Sequence, residues 1–139
     1  MKFESQYFTK VDFTKEQIAK NFDNALRDLG IARKVKILEV EFNYAYTALI
    51  KAGVALLSYY GLKTRSVPGH HVKIIERLAN ILKDDSIADM GNLMRAKRNL
   101  DLYAGGIDVT EKECKEYIKF VEKVIEGVNK IISHVKEMA

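Results

Sequence analysis

The chain has 139 residues, a net charge of +4, 47% hydrophobic and 30% charged residues. That length makes one domain able to bury roughly two-thirds of its unfolded surface, and that balance excludes a disordered or linker-like chain. The charge is uneven: residues 31–73 hold seven basic and two acidic groups, and the rest of the chain is nearly balanced, so a local positive patch suited to an anionic partner is expected.

After an arm over residues 1–13, Thr14 and Gln17 form a T-x-x-Q capping box, which marks a helix start. Ile18, Phe22, Ala25, Leu26 and Leu29 make one apolar stripe, and Gly30 offers a C-terminal stop. The next start is poorly marked, because Ile31-Ala32-Arg33 has no capping side chain. The first two helices can therefore form one interrupted rod.

The second helix reads most clearly. Val35, Leu38, Phe42, Ala45, Leu49, Ala52, Leu56 and Tyr59 alternate steps of three and four, the helical period. A second seam, Tyr46, Ile50, Gly53, Leu57 and Tyr60, runs beside it. Such a helix packs on two sides, one seam for the bundle and the other for a second copy of the chain, so a homodimer is expected.

The run from Phe42 to Leu62 carries one charge, Lys51, and is long enough to cross a bilayer. Asn43, Tyr44, Thr47 and Ser58 interrupt it, and a buried central helix accounts for it better than a membrane span. The opening Met1-Lys2-Phe3-Glu4 has no basic segment leading into an apolar run, so no signal peptide and a cytoplasmic location are expected.

Gly61 ends the second helix, and a loop with Lys63, Arg65 and Pro68 follows. A third helix is predicted from about His70 to Leu82. A fourth, capped by Asp84, Asp85 or Ser86, is predicted from Ile87 to about Tyr103. Thr110 and Glu113 form another capping box, opening a last helix to about Lys136. Cys114 starts its apolar stripe; the chain's lone thiol lacks a disulfide partner or zinc spacing and reads as core. No alternation of β period is visible, so the fold class is an all-α, up-and-down bundle of four to five helices with no strand.

At helical spacing Arg95, Arg98, Asn99 and Leu102 share a face of the fourth helix, with Gly91 one turn earlier keeping it open. Two guanidinium groups with planar donor forks suit phosphate. The competing reading is a solvated face paired with Asp101 and nearby glutamates. His70 and His71, about 100° apart on a helix, are poorly placed to chelate one metal. One is expected to bond at the helix start with the other exposed, or both join Lys63 and Arg65 around an anion. No phosphate-loop, nucleophile-elbow, dinucleotide or carboxylate–histidine metal motif occurs, so no metal or cofactor is expected. The tyrosines at 44, 46, 59 and 60 read as core and interface.

Over roughly residues 35–135 the chain resembles the HEPN superfamily, the higher eukaryotes and prokaryotes nucleotide-binding domains. The likeness rests on the aromatic- and alanine-rich helix ending in a basic loop, on Gly69-His70-His71, and on Arg98-Asn99 followed by Tyr103. It implies a helical bundle that dimerises. It also implies an R-x4-6-H ribonuclease motif in which arginine stabilises phosphoryl charge and histidine activates the 2′-hydroxyl. Here Tyr103 stands where that histidine is expected, and a phenol with a pKa near 10 is a poor general base. The resemblance therefore implies a protein that binds RNA or nucleotides with little or no catalysis, with Arg98 and Tyr103 in the catalytic positions. By family analogy it belongs in a toxin–antitoxin or defence setting, beside a nucleotidyltransferase partner. An active metal-independent endoribonuclease using His70, His71 or Tyr103, and a purely structural protein-interaction module, remain as alternatives.

Overall fold

A computed structural model describes residues 3–104 and 108–137, leaving out the side chains of 101–104 and 134–137. Five helices dominate: α1 (Lys15–Lys34), α2 (Leu38–Tyr59), α3 (His70–Leu82), α4 (Asp85–Ala104) and α5 (Glu111–Glu137). The all-α class stands. No described helix is long and apolar enough to cross a membrane.

Both capping boxes form as their sequences require. Thr14 Oγ1 accepts from the Gln17 amide while the Gln17 side chain accepts from the Thr14 N–H, and Thr110 with Glu113 repeats the pattern. Gly30 does not stop α1. Leu29 and Ala32, at 2% and 0% exposed, carry the buried stripe past it, and that burial outweighs the roughly 1 kcal/mol helix penalty of glycine. The rod is interrupted later, where Val35 is extended and Ile37 caps α2 without a side-chain bond.

The expectation of no strand needs correction. β1 (Phe8–Lys10) in the arm pairs antiparallel with β2 (Leu62–Thr64) in the loop after α2. Three residues per strand are too few to show a period, so the pairing has no sequence signal. Ion pairs hold the arm down: Arg77 of α3, only 4% exposed, donates to Glu4 Oε1 at 2.7 Å, and Lys73 reaches Glu4 at 3.1 Å. These hydrogen bonds keep the Glu4 carboxyl below its usual range, Lys73 contributing most and Arg77 next.

α2 occupies the centre and touches α1, α3, α4, α5 and β2. Its second seam packs within the chain, against α3. A Cβ at Gly53 would lie 2.3 Å from Ile74 Cγ2, and one at Gly91 of α4 would lie 2.7 Å from Ile75 Cγ2. The α2 seam is buried as far as Leu57, and Tyr60 at its end is 45% exposed. One expectation changes as a result: Gly91 is a helix–helix contact, not an opening beside Arg95. Cys114 is core as expected, 1% exposed, and burial pushes its thiol up to about 11.

Gly53 and Gly30 should respond in opposite ways to alanine. Gly30 has nothing within 4 Å of a built Cβ, so Gly30→Ala is expected to stabilise by about 0.5–1 kcal/mol. Gly53→Ala forces the branched Ile74 side chain aside and is expected to destabilise by about 1–3 kcal/mol. Urea unfolding of the two variants checks this, and a neutral or stabilising Gly53→Ala would show that α2 and α3 are not in contact there.

Candidate functional site

The site grows from a phenol that α2 has to bury. Tyr46 is 0% exposed, and a buried tyrosine hydroxyl needs a partner. It finds His71 in the first turn of α3, with 2.9 Å between Oη and Nδ1 and ring centroids 5.6 Å apart. From α4, the Arg98 guanidinium covers the Tyr46 ring at 5.3 Å, within cation–π range.

The electrostatics set the charge states. Burial pushes the Tyr46 hydroxyl up to about 12, only partly opposed by Arg98 and Arg95. His71 is pushed down to about 4, first by burial and then by the positive neighbours His70, Arg98 and Arg95. Near neutral pH the imidazole is uncharged; with the buried Tyr46 hydroxyl assigned as donor to Nδ1, the remaining ring proton sits on Nε2. His71 is thereby a neutral hydrogen-bond donor, not a poised base.

A cleft of about 330 Å³ opens beside it, lined by Ser66 to Val72 on one side and by Arg95 and Asn99 on the other. Gly69 takes a left-handed conformation, φ 82°, as it leads into α3, and α3 has no acidic residue in its first turn. The positive end of a helix dipole and Arg95 therefore border the same cleft. No carboxylate lines the cleft. Among the described residues no carboxylate forms an ion pair with Arg95 or Arg98; the Arg95 Nε–Asn92 Oδ1 separation of 3.5 Å is a weak contact. The arrangement is suited to hold an oxyanion.

The sequence-predicted residues divide into three groups. Arg95, Asn99, His70 and His71 line the cleft. Arg98 stands behind it on Tyr46 and acts through its charge. Lys63 and Arg65 lie elsewhere: Arg65 donates to the Ser5 carbonyl at 2.8 Å and ties down the arm, and Lys63, on β2, borders a neighbouring hollow with His70. Strand pairing between β1 and β2 turns this stretch toward the arm. His70 makes the helix-start bond, Nδ1 to the Val67 carbonyl at 2.8 Å, while His71 turns inward instead of being exposed. The side chains of Tyr103, Leu102 and Asp101 lie outside the described residues.

Tyr46 is the residue that the sequence did not single out. It lies on an apolar seam, and only the general need of a buried phenol for a partner hints at its role. Among the described residues no three potential metal ligands gather. Comparison with protein-family models, curated proteins and solved structures finds no match to this chain.

The depressed imidazole has a consequence for stability. The unfolded chain takes up a proton on His71 near pH 6.5 and the folded chain only near 4, so the unfolded state binds more protons between those values and stability falls as pH drops through that window. The lowered carboxyls of Glu4, Asp84 and Glu113 add to the loss at the lower end of that window and below it, and Glu41, raised by burial, works in the opposite sense. Thermal melts between pH 4.5 and 6.5 should show a falling Tm in the wild type and a flatter profile in His71→Gln. Parallel profiles would mean that His71 titrates normally in the folded chain.

Proposed function

We propose that the chain binds the phosphate groups of RNA or nucleotides at the N-terminal end of α3, with little or no catalysis of its own. The observation that carries this reading is the composition of the cleft. A helix N-terminus, the Arg95 guanidinium and the Asn99 amide converge there with no carboxylate among the lining residues, and each favours an oxyanion. His71 supports it as a neutral Nε2–H donor, and Arg98 adds long-range positive charge. Membership of the HEPN superfamily, a homodimer, and a toxin–antitoxin role beside a nucleotidyltransferase are proposed from the sequence resemblance alone. Leu93 and Leu100 of α4, 49% and 60% accessible, and Tyr60 at the end of the α2 seam, 45% accessible, are exposed apolar side chains available to such pairing.

The endoribonuclease reading gains one observation, since a histidine does stand beside Arg98. That histidine has Nδ1 occupied by Tyr46 and a pKa near 4, too low for efficient general-base work at neutral pH. Incubated with single-stranded RNA without metal, the protein is expected to leave it intact. Cleavage abolished by Arg98→Ala would reverse the ranking.

Arg95→Ala is expected to weaken RNA binding by about tenfold or more, the worth of one charge-assisted hydrogen bond, and Arg98→Ala by less, because it acts through field rather than contact. Binding measured from low to high salt should weaken throughout. The salt slope should fall by about 0.7–1 in Arg95→Ala, the change expected when one phosphate is no longer neutralised by the protein. Equal affinities and slopes in wild type and the double variant would end the reading.

A further inference from the structure

A second hollow, about 310 Å³, adjoins the cationic cleft and lies between α1, α2, α3 and β2. The two share Ser66 and His70 as lining residues, so they border one another at that edge. The apolar walls of the second hollow are Phe13, Ile50, Val54, Leu62 and Ile74. Its polar lining is the Asn21 amide from α1, Lys63 of β2, the hydroxyls of Ser58, Thr64 and Ser66, and the shared His70. Thr64 Oγ1 is the one buried side-chain oxygen or nitrogen without a hydrogen-bond partner among the described residues. Ser58 is already satisfied by the Ala55 carbonyl at 2.7 Å.

We infer that this hollow receives the base of a nucleotide whose 5′-phosphate lies in the cationic cleft. The inference rests on the phosphate-binding reading and adds a location and a ligand class to it. A nucleobase has apolar faces and a polar edge, and the hollow offers the complement: aliphatic walls, the Phe13 ring as a stacking surface, and an amide able to donate and accept. A mostly apolar pocket with a few placed polar groups, at the lower end of the usual size range of about 300–1,000 Å³, is what small-ligand sites look like. Lys63 then takes part by bordering the base end. His70 stands at the junction, with Nδ1 held by Val67 and Nε2 left to meet the sugar.

The test is calorimetric titration of the full chain with AMP, GMP, CMP, UMP, ribose 5-phosphate and inorganic phosphate. At least one nucleotide is expected to bind about tenfold or more tightly than ribose 5-phosphate, the scale of one base–aromatic stack. Val54→Phe, which fills the hollow, should erase that advantage while leaving ribose 5-phosphate binding unchanged. Asn21→Leu, which keeps the volume, should narrow the differences among bases, and it serves if the larger substitution fails to fold. Nucleotides binding no better than ribose 5-phosphate would overturn the base site and leave the phosphate site standing. Binding of none of the six, inorganic phosphate included, would overturn both. A base preference that survives Val54→Phe and Asn21→Leu would place the base elsewhere and refute the inference. A 5′-phosphorylated tetranucleotide completes the series. Binding tighter than the mononucleotide identifies an RNA end as the source, equal binding identifies a free nucleotide, and exclusion of both overturns the site.

Discussion

The hydrogen bond from Tyr46 to His71 is the contact on which the site depends. α2 is covered on nearly every side, so a phenol placed on it has no water to bond to and must be answered from within the bundle. The answer comes from the first turn of α3 and holds the His71 ring in place, while burial and the neighbouring charges keep that ring neutral. Arg98 completes the stack by covering the ring face. One hydrogen bond and one cation–π contact thus join three helices and fix a histidine at the edge of the cleft.

That bond needs α3 to lie close against both α2 and α4, and the glycines permit it. Gly53 admits Ile74 and Gly91 admits Ile75, so α3 is gripped from two sides through adjacent residues on its own surface. The N-terminal arm holds the same helix from a third direction, through Glu4 with Lys73 and Arg77. The end of α3 that carries the two histidines is consequently set by packing and charge together. The proposed anion site requires that rigidity, because donors held in place lose little on binding.

Much of the fold is legible in the sequence because helices announce themselves. The capping boxes at Thr14 and Thr110, the three–four period of α2 and the start of α3 at His70 all stand where their side chains place them. Gly30 misleads because a penalty of about 1 kcal/mol is small beside the burial of Leu29 and Ala32. The β1–β2 pairing is illegible, since its partners are more than fifty residues apart in the chain and three residues each. At the site, local spacing brings out Arg95, Arg98 and Asn99, and the histidine pair stands out by composition. What spacing cannot give is the meeting of α2, α3 and α4. Tyr46 therefore reads as core from its seam alone, and spacing cannot show that Arg65 bonds to the arm at Ser5 while Lys63 borders the neighbouring hollow with His70 alone of the two histidines.

The central claim is that Tyr46 holds His71 as an uncharged Nε2–H donor facing a bound phosphate. Nitrogen-15 NMR of labelled histidine tests it most directly, by recording the His71 ring with and without AMP and repeating the experiment in Tyr46→Phe. The account predicts the Nε2–H tautomer near neutral pH, a further shift at Nε2 when the nucleotide binds, and a mixed tautomer once the phenol is gone. A His71 that is protonated at neutral pH in the free protein, or whose ring signals ignore both the nucleotide and the removal of the Tyr46 hydroxyl, would contradict it.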